Sequence, residues 1–392
     1  MTSTNARPDV AVIGGSIVGS CTAYFLRTLA PDASVQVIEP DSTYQFASAL
    51  RSSGGLRVQF SCPENIAMSR FGLDFVCDFA ARMSLTDAPA HADFVEGGYL
   101  FIVPIEHVML LEANARVQRA LGCEVRLLGP AELKATFPSI RVDDLGAGAW
   151  TPHDGWCDPH GLLHGVRRKA VALGARYIED RVVGADVTST RVEVLKLASG
   201  ATLRPDIIVN AAGAWSGDVA ALMGMRLPVT PLKRYEHYFT CATPVERLPY
   251  VKDLARLAFR SEGVGFSGGL VDGSAVRGYD FDVDHDYFQR VVWPALAHRF
   301  PAFEAVRCQR TWSGLYEVCE LDGNPVIGRW NDGLANLYTA AGFSGHGMMH
   351  APAAGRAIAE LIAGGHYATI DLTRLGYGRI ATNAPYRESG IL

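Results

Sequence analysis

The most regular pattern of apolar residues lies near the N-terminus. Residues 10–13 form an uninterrupted apolar run with β-branched side chains, which is typical of a buried parallel strand. Residues 20–30 then have the composition of a helix, and a second apolar run from Ser34 ends in the carboxylate of Glu39. This order predicts a strand–helix–strand unit.

A turn of small residues joins the first strand to the helix. Gly14 and Gly19 are the outer positions of a G-x-G-x-x-G pattern whose middle glycine is replaced by Ser16. Glycine lets the backbone approach a pyrophosphate, and the start of a helix offers free N–H groups to its oxygens. Glu39 is spaced to accept hydrogen bonds from a ribose diol. Because an acid ends this strand, the pattern favours FAD or NAD over NADP, although such turns also occur without a ligand.

Helical and strand patterns alternate unevenly along the rest of the chain. The further predicted helices are 63–83, 106–121, 160–173 and 351–362. The further predicted strands are 94–103, 124–128, 175–178, 181–183, 192–197, 201–203, 233–241, 257–260, 264–267, 275–279 and 337–340, with a buried strand inside 206–216 that ends in small residues. Two blocks, 86–149 and 227–309, leave the strand–helix–strand pattern, which predicts a second domain.

Composition and charge limit the classes of function. The 392 residues are 48% hydrophobic and 20% charged, which is enough to bury a large core. The net charge of −5 gives no general attraction to nucleic acid or anionic lipid. The first residues are polar and no uncharged apolar run reaches about 18 residues, so we expect a cytoplasmic protein without a transmembrane segment.

Cysteine spacing and one turn bear on metal binding. The eight cysteines contain no C-x-x-C pair, which predicts neither a zinc site nor a disulfide framework. His153, Asp154, Cys157 and Asp158 lie close together, but their irregular spacing and the lack of further ligands favour a structural turn. No metal is predicted.

Two other regions have the composition of a surface that contacts a ligand. Residues 48–57 form a small, polar loop that could lie against a flat ligand, with a solvated loop as the alternative. Tyr235, His237 and Tyr279 occupy polar or aromatic positions of predicted strands. Such a sheet face can line a small-molecule cavity, and an ordinary half-buried antiparallel sheet alternates in the same way.

Four segments together resemble the D-amino-acid oxidase and sarcosine oxidase superfamily of FAD enzymes. They are 12–19 with Glu39, 209–216, 312–328 and 342–347, and they span nearly the whole chain. Within the superfamily, residues 51–60 and the sequence W-x-G-L-Y-E at 312–317 look most like the branch of glycine oxidase, the sarcosine oxidase β-subunit and proline dehydrogenase.

The resemblance implies the fold class. It is an α/β fold of the p-hydroxybenzoate-hydroxylase and glutathione-reductase type, with a Rossmann-like FAD-binding domain and a mostly antiparallel α+β substrate domain. We expect the FAD-binding domain to comprise 1–85, 150–226 and 310–392, and the substrate domain to comprise 86–149 and 227–309.

The resemblance also implies which residues surround FAD. The expected contacts are Gly14, Ser16, Ile17, Val18, Gly19, Glu39, Pro40, Arg51, Ser52, Ser53, Gly54, Val182, Ala212, Gly213, Trp215, Gly314, Gly342, Ser344, Gly345, His346, Gly347 and Met348. Relatives that bind flavin covalently use a cysteine or a histidine where this chain has Gly314 or Ser52, so we expect non-covalent FAD.

Candidates for the chemistry follow from the same resemblance. The expected catalytic residues are Arg57, His346 and Tyr316, and the expected substrate contacts are Arg57, Tyr235, His237 and Tyr279. The lysine that binds the substrate carboxylate in sarcosine oxidases is Met349 here, which puts simple sarcosine in doubt. The carboxylate could instead meet one of four guanidinium groups, which bind carboxylates in a bidentate way, namely Arg57, Arg234, Arg260 or Arg310.

The implied reaction is FAD-dependent oxidation of a C–N bond in a secondary, N-substituted or cyclic amino acid. Hydride transfer to flavin gives an imine that hydrolyses, and the reacting nitrogen must be neutral because an ammonium has no lone pair. Oxidation of a primary D-amino acid or glycine is the alternative, and a flavin-binding assembly factor without turnover is the alternative from another class. The expected partners are the small-molecule amine, oxygen or an electron carrier, and a homo-oligomer or partner subunit.

Overall fold

Two large β-sheets organise the chain in the computed structural model, which describes residues 10–254, 257–270, 277–330 and 333–390. The strands are β1 (Val10–Ile13), β2 (Val35–Glu39), β3 (Gly55–Leu56), β4 (Tyr99–Val103), β5 (Arg126–Leu128), β6 (Ala147–Thr151), β7 (Gly155–Trp156), β8 (Arg176–Glu179), β9 (Val182–Val187), β10 (Val192–Leu197), β11 (Thr202–Leu203), β12 (Ile207–Asn210), β13 (Val229–Cys241), β14 (Tyr250–Asp253), β15 (Leu257–Glu262), β16 (Gly265–Leu270), β17 (Val306–Cys319), β18 (Val326–Arg329) and β19 (Leu337–Ala341).

Helices cover the sheets. They are α1 (Ile17–Leu29), α2 (Pro63–Cys77), α3 (Phe79–Met83), α4 (Val108–Ala120), α5 (Pro130–Thr136), α6 (Pro159–Ala172), α7 (Ser216–Leu222), α8 (Trp293–Arg299), α9 (Gly347–Gly364) and α10 (Gly378–Ala381). None of the helices in the described ranges is long and apolar enough to cross a membrane.

The first sheet contains the predicted strand–helix–strand unit. Its strand order is β18-β19-β12-β1-β2-β8, and every neighbouring pair is parallel except β18 with β19. β1 lies in the middle, with Val12 opposite Val37 on one side and Val209 on the other, so both faces are buried and the strand is apolar throughout. Helix α1 packs closely on α9. A Cβ on Gly355 would lie 2.6 Å from the backbone of Cys21, which shows how little space separates the two helices.

The second sheet is mostly antiparallel, as predicted. Its strand order is β17-β13-β16-β15-β14-β4-β6-β5, and only β14 and β4 run parallel. One face packs on a buried aromatic core that α8 helps to close, formed by Phe239, Phe259, Phe266, Phe288, Phe300 and Phe303. The opposite face is open to a cavity between the two sheets.

Several element boundaries differ from the sequence-based expectation. The predicted helix 63–83 is divided at Asp78 into α2 and α3. Helix α9 begins four residues before the predicted start, since Pro352 is accommodated inside the helix instead of near its first position. Of the predicted strand 275–279, residues 275 and 276 lie outside the described ranges, and Arg277 forms an isolated bridge with Leu232.

The predicted domain boundaries at 150 and 310 fall inside strands of the second sheet. They lie within β6 and β17, both of which pair along their length in that sheet. The apolar pattern identifies a strand but does not indicate which sheet it joins, because that choice depends on long-range pairing.

Candidate active site

A cavity of about 900 Å³ lies between the two sheets. Its walls include the turn after β1, the loop at 44–57, the small residues after β12, the loop before α9, and the open face of the second sheet. The carboxyl ends of the parallel strands therefore face the antiparallel sheet across one space, which is the usual place for a ligand in an open α/β sheet.

The turn after β1 requires glycine at two positions. Gly14 has a φ of +97°, and a Cβ there would lie 2.4 Å from the carbonyl oxygen of Ala211. A Cβ on Gly19 would lie 1.9 Å from the carbonyl oxygen of Gly14. Gly19 is thus needed for packing and does not itself line the cavity, unlike Gly14, Ser16 and the next two residues. This close approach brings the N-terminus of α1 to the cavity, where its N–H groups can bind a pyrophosphate.

Glu39 is held by the backbone at the edge of the same turn. One carboxylate oxygen accepts from the N–H of Gly15 at 2.8 Å, and the other accepts from the N–H of Asp41 at 3.2 Å. Burial raises the pKa of Glu39. The fixed carboxylate and the glycine turn fit the ribose and pyrophosphate of FAD.

The polar loop at 48–57 lines the cavity instead of facing solvent. Arg51 packs against the rings of Phe46 and Phe281, with its guanidinium carbon 5.4 Å and 5.3 Å from their centroids. The hydroxyls of Ser53 and Tyr250 form a hydrogen bond of 2.7 Å, which connects this loop to the second sheet. The loop is therefore fixed on both sides of the cavity.

Arg57 and His346 meet in the wall of the cavity. Nη2 of Arg57 lies 3.0 Å from Nε2 of His346, and Nη1 donates to the carbonyl oxygen of Gln59. Because an arginine can only donate, Nε2 of His346 accepts, and the imidazole is neutral with its proton on Nδ1. Burial, followed by the charge of Arg57, lowers the pKa of His346 well below its usual range. The guanidinium of Arg57 also lies 4.1 Å from the ring centroid of Phe60.

The loop before α9 is attached to β17. The carboxylate of Glu317 accepts from the N–H of Gly342 at 3.0 Å, and burial raises the pKa of Glu317 to about 7. Gly342 has a φ of +80° and does not line the cavity, so it shapes the loop without contacting a ligand. A Cβ on Gly345 would lie 2.5 Å from the ring of Tyr316, so the loop packs directly on this tyrosine.

The second sheet contributes polar side chains that the sequence analysis missed. Tyr99, Glu236, Tyr250, Lys252 and Glu317 line the cavity beside the predicted Arg234, Tyr235 and Tyr316. The sequence Y-V-K-D of β14 could have indicated two of them, because Tyr250 and Lys252 are two residues apart in a strand and must therefore lie on the same face. The rings of Tyr99 and Tyr250 stack with their centroids 4.3 Å apart.

Two expected substrate contacts need correction. His237 is fully buried on the opposite face of the sheet, where Nδ1 lies 2.9 Å from Oγ1 of Thr311 and the ring faces Phe288. Tyr279 lies beside the cavity, stacks on Trp215 and donates to Asp218 at 2.6 Å. Neither belongs to the cavity lining.

Most of the remaining predicted residues line the cavity, and a few lie outside its lining. The lining includes all the expected FAD contacts except Gly19 and Gly342, together with Arg57 and Arg234. Of the four arginines considered for the substrate carboxylate, Arg260 and Arg310 lie outside the lining. Arg260 is buried with Glu262 as its ionic partner, and Arg310 is exposed on β17.

Comparisons with known proteins agree with this geometry. The family described as DAO, FAD-dependent oxidoreductase, matches residues 9–361. FAD-dependent oxidoreductase domain-containing protein 1 of Xenopus laevis is 35% identical over 427 residues, covering 98% of this chain and 85% of the relative. Sarcosine oxidase subunit beta of Rhizobium meliloti is 27% identical over 382 residues, and the match covers 91% of this chain and 85% of that protein. The crystal structure of L-proline dehydrogenase from P. horikoshii has a TM-score of 0.85 and 27% identity, with 97% of this chain and 99% of that chain covered. The expected fold and the FAD cofactor are confirmed.

Proposed function

Since the chain belongs to the DAO family of FAD-dependent amino acid and amine oxidoreductases, we propose that it oxidises the C–N bond of a secondary, N-substituted or cyclic amino acid. The product is an imine that water hydrolyses. The observation that carries this proposal is the buried pair of Arg57 and His346, which lines the same cavity as Tyr316 and the glycine turn that fits FAD. Bound FAD supplies the hydride acceptor.

Arg57 is suited to bind the substrate carboxylate. Only 1% of this residue is exposed, and no carboxylate forms an ion pair with it in the part of the chain that the structure describes. Two of its five N–H groups donate to Gln59 and His346, which leaves others for a ligand. A carboxylate there would neutralise a buried charge, so the attraction is stronger than at the surface.

The same cavity favours the neutral form of the substrate nitrogen. Arg57, Arg234 and Lys252 all line it, and nearby positive charge lowers the pKa of an ammonium group. Burial raises the pKa of Tyr316, which therefore stays protonated and can donate a hydrogen bond. The amine loses its proton before its carbon loses hydride, and the cavity lowers the cost of that step.

Two relatives are named for secondary amines, which supports a secondary amine as the substrate. Sarcosine and proline, which appear in those names, both carry a secondary nitrogen. Oxidation of a primary D-amino acid or glycine would use the same cavity and is the second candidate. A flavin-binding assembly factor without turnover is the third. Non-covalent attachment of FAD, a cytoplasmic location, the electron acceptor, and a homo-oligomer or partner subunit remain predictions from the sequence.

An anaerobic absorbance experiment tests the proposal. The purified yellow protein is mixed with N-methylglycine, N-ethylglycine, N-methyl-L-aspartate, iminodiacetate, proline, glycine and D-alanine, and air is then admitted. We expect a secondary amine to bleach the flavin, with fast recolouring in air for an oxidase and slow recolouring for a dehydrogenase. Bleaching by a primary amine alone would favour the second candidate. No bleaching by any compound would favour the assembly factor.

A further inference from the structure

One carboxylate in the cavity lining has no cationic partner among the described residues. Glu236 on β13 is half-buried and lines the cavity. One of its oxygens accepts from the hydroxyl of Ser267 at 2.7 Å, and the other accepts no hydrogen bond from the part of the chain that the structure describes. Within the same ranges, no lysine, arginine or histidine forms an ion pair with Glu236. The second oxygen is therefore available to a ligand.

A short series of contacts connects Glu236 to the loop at 48–57. Ser267, which donates to the carboxylate, is opposite Arg260 on the neighbouring strand β15. Nε of Arg260 donates to the carbonyl oxygen of Ser53 at 2.5 Å. Ser53 also lines the cavity and is one of the expected FAD contacts. The carboxylate of Glu236 thus belongs to the part of the sheet that is joined to the cofactor side of the cavity.

The charged groups around Glu236 allow it to ionise near neutral pH. Burial raises its pKa to about 7, although the hydrogen bond from Ser267 and the charge of Arg260 act in the opposite direction. Glu262 adds to the rise, and it also forms an ion pair with Arg260. Since the positive charge of Arg260 is shared with Glu262, it does not fully compensate the buried carboxylate of Glu236.

The tyrosines near Glu236 also lie close to the predicted substrate anchor. Burial is the main cause of the raised pKa of Tyr250 and Tyr316, and the charge of Glu236 raises both further. The charges of Arg234 and Arg57 lower the pKa of Tyr316. Tyr316 is therefore close both to Arg57, which is suited to bind a carboxylate, and to Glu236, which is suited to meet an ammonium group.

We infer that Glu236 accepts the proton that the substrate ammonium loses before oxidation, while Arg57 holds the substrate carboxylate. This inference rests on the proposed function and deepens it. An N–H bond of the ammonium breaks, the proton goes to the second oxygen of Glu236, and the electron pair stays on nitrogen. That pair supports loss of hydride from the neighbouring carbon, with FAD as the oxidant. Glu236 then releases the proton to solvent before the next turnover.

The environment of Glu236 suits this proton transfer. A glutamate with the usual pKa of about 4.3 is a poor base for an ammonium group whose pKa is about 10. Burial brings the pKa of Glu236 to about 7, and the positive charges that line the cavity lower the pKa of the ammonium. The difference between donor and acceptor therefore narrows from both sides, as a general base near neutral pH requires.

The pH dependence of kcat/KM tests the transfer with a secondary amine that reduces the flavin. In the wild type, kcat/KM should rise with pH up to about 7, as Glu236 ionises, and then level off. Glu236→Gln can still accept from Ser267 but cannot take a proton. Its kcat/KM should be about 100-fold lower at pH 8, and it should keep rising towards the pKa of the free amine.

Control variants separate proton transfer from support of the fold. Glu236→Asp should keep the rise near pH 7, because a carboxylate is retained. Glu304→Gln removes an exposed acid outside the cavity lining and should leave the profile unchanged. If Glu236→Gln lowers kcat/KM by the same factor at every pH, Glu236 only shapes the site and the inference is wrong, while the proposed function stands.

A binding measurement keeps the test independent of turnover. Trimethylglycine and 3,3-dimethylbutanoate have the same shape and one carboxylate each, but only the first carries a positive nitrogen, which has no lone pair and no proton. With the holoenzyme at pH 8, we expect the dissociation constant of trimethylglycine to be lower by at least about 10-fold, because its charge lies beside Glu236. The preference should shrink at pH 6, where Glu236 is mostly protonated, and disappear in Glu236→Gln.

The same measurement distinguishes this inference from a failure of the proposed function. If no amine reduces the flavin but the preference for trimethylglycine depends on Glu236, the carboxylate does meet the ligand nitrogen and the proposed reaction is wrong. Equal binding of the two compounds, or an unchanged preference in Glu236→Gln, would overturn the inference even if secondary amines reduce the flavin.

Discussion

Buried charged side chains have different partners on the two faces of the eight-stranded sheet. Lys252 and Asp253 are neighbours on β14 and point to opposite faces. On the aromatic back face, Asp253 pairs with Nε of Arg299 at 2.8 Å, and Arg299 also binds Asp144 at 2.7 and 2.9 Å. On the cavity face, Arg57 is as deeply buried as Arg299, yet its partners within the described residues are a backbone carbonyl, a neutral imidazole and aromatic rings.

This difference indicates that the ion pairs of Arg299 stabilise the fold, whereas the charge of Arg57 is available to bind a ligand. A buried ion pair with satisfied hydrogen bonds is costly to break but performs no chemistry. A buried cation without a carboxylate is costly to keep, and such groups concentrate at functional sites. The two faces can therefore be told apart by experiment, because equivalent substitutions should affect stability on one face and substrate binding on the other.

The largest effect is expected on the back face. Arg299→Met leaves the buried Asp253 without its main partner, so we expect the free energy of unfolding to fall by about 4 kcal/mol. The measurement is urea unfolding at pH 7, with the exposed Arg310→Met as the control. The folded fraction should keep its substrate affinity. A stable variant with weakened binding would reverse the roles assigned to the two faces.

The next effect concerns His237 and the pH dependence of stability. Burial lowers the pKa of His237 to about 4. As pH falls below about 6.5, the unfolded chain binds a proton that the folded protein does not bind until about pH 4, so stability is lost across this window by about 3 kcal/mol. His237→Phe should remove that contribution to the loss, which unfolding curves at pH 7 and pH 4.5 would reveal.

The same variant decides whether His237 contacts substrate. Since the ring packs against Phe288 away from the cavity, KM should be unchanged at pH 7. A rise in KM without a change in the acid sensitivity of folding would return His237 to the substrate site.

The sequence predicted the cofactor side of the cavity better than the substrate side. The glycine turn, Glu39 and the loop before α9 act largely through local backbone geometry, which glycine spacing in a strand–turn–helix pattern reports directly. The substrate side depends on which face each side chain of a strand occupies. In β13, residues 234–238 are all polar or aromatic, so the pattern did not reveal that Glu236 and His237 face opposite ways.

Long-range pairing accounts for two other features that the sequence did not indicate. Lys252 lies next to Arg57 only because β14 pairs with β4 and the loop at 48–57 packs over them. The boundary predicted at 310 lies inside β17, which pairs with β13 over its whole length. Neither pairing has a signal in local apolar periodicity, since both join segments distant in sequence.

The smallest of the three effects is expected for the substitution that mirrors the first. Arg57→Met removes a desolvated cation whose pKa burial lowers, so the free energy of unfolding should stay within about 1 kcal/mol or rise, despite the lost contact with Phe60. By contrast, kcat/KM should fall roughly 30-fold, because the substrate carboxylate loses a charged hydrogen bond. This decrease corresponds to about 2 kcal/mol of lost transition-state stabilisation. Urea unfolding and steady-state kinetics on the same preparation check both parts.

Arg57→Lys should recover only part of the loss, because an ammonium cannot bind a carboxylate in a bidentate way. If Arg57→Met instead unfolds as readily as Arg299→Met, Arg57 stabilises the fold, and the distinction between the two faces no longer identifies the substrate site.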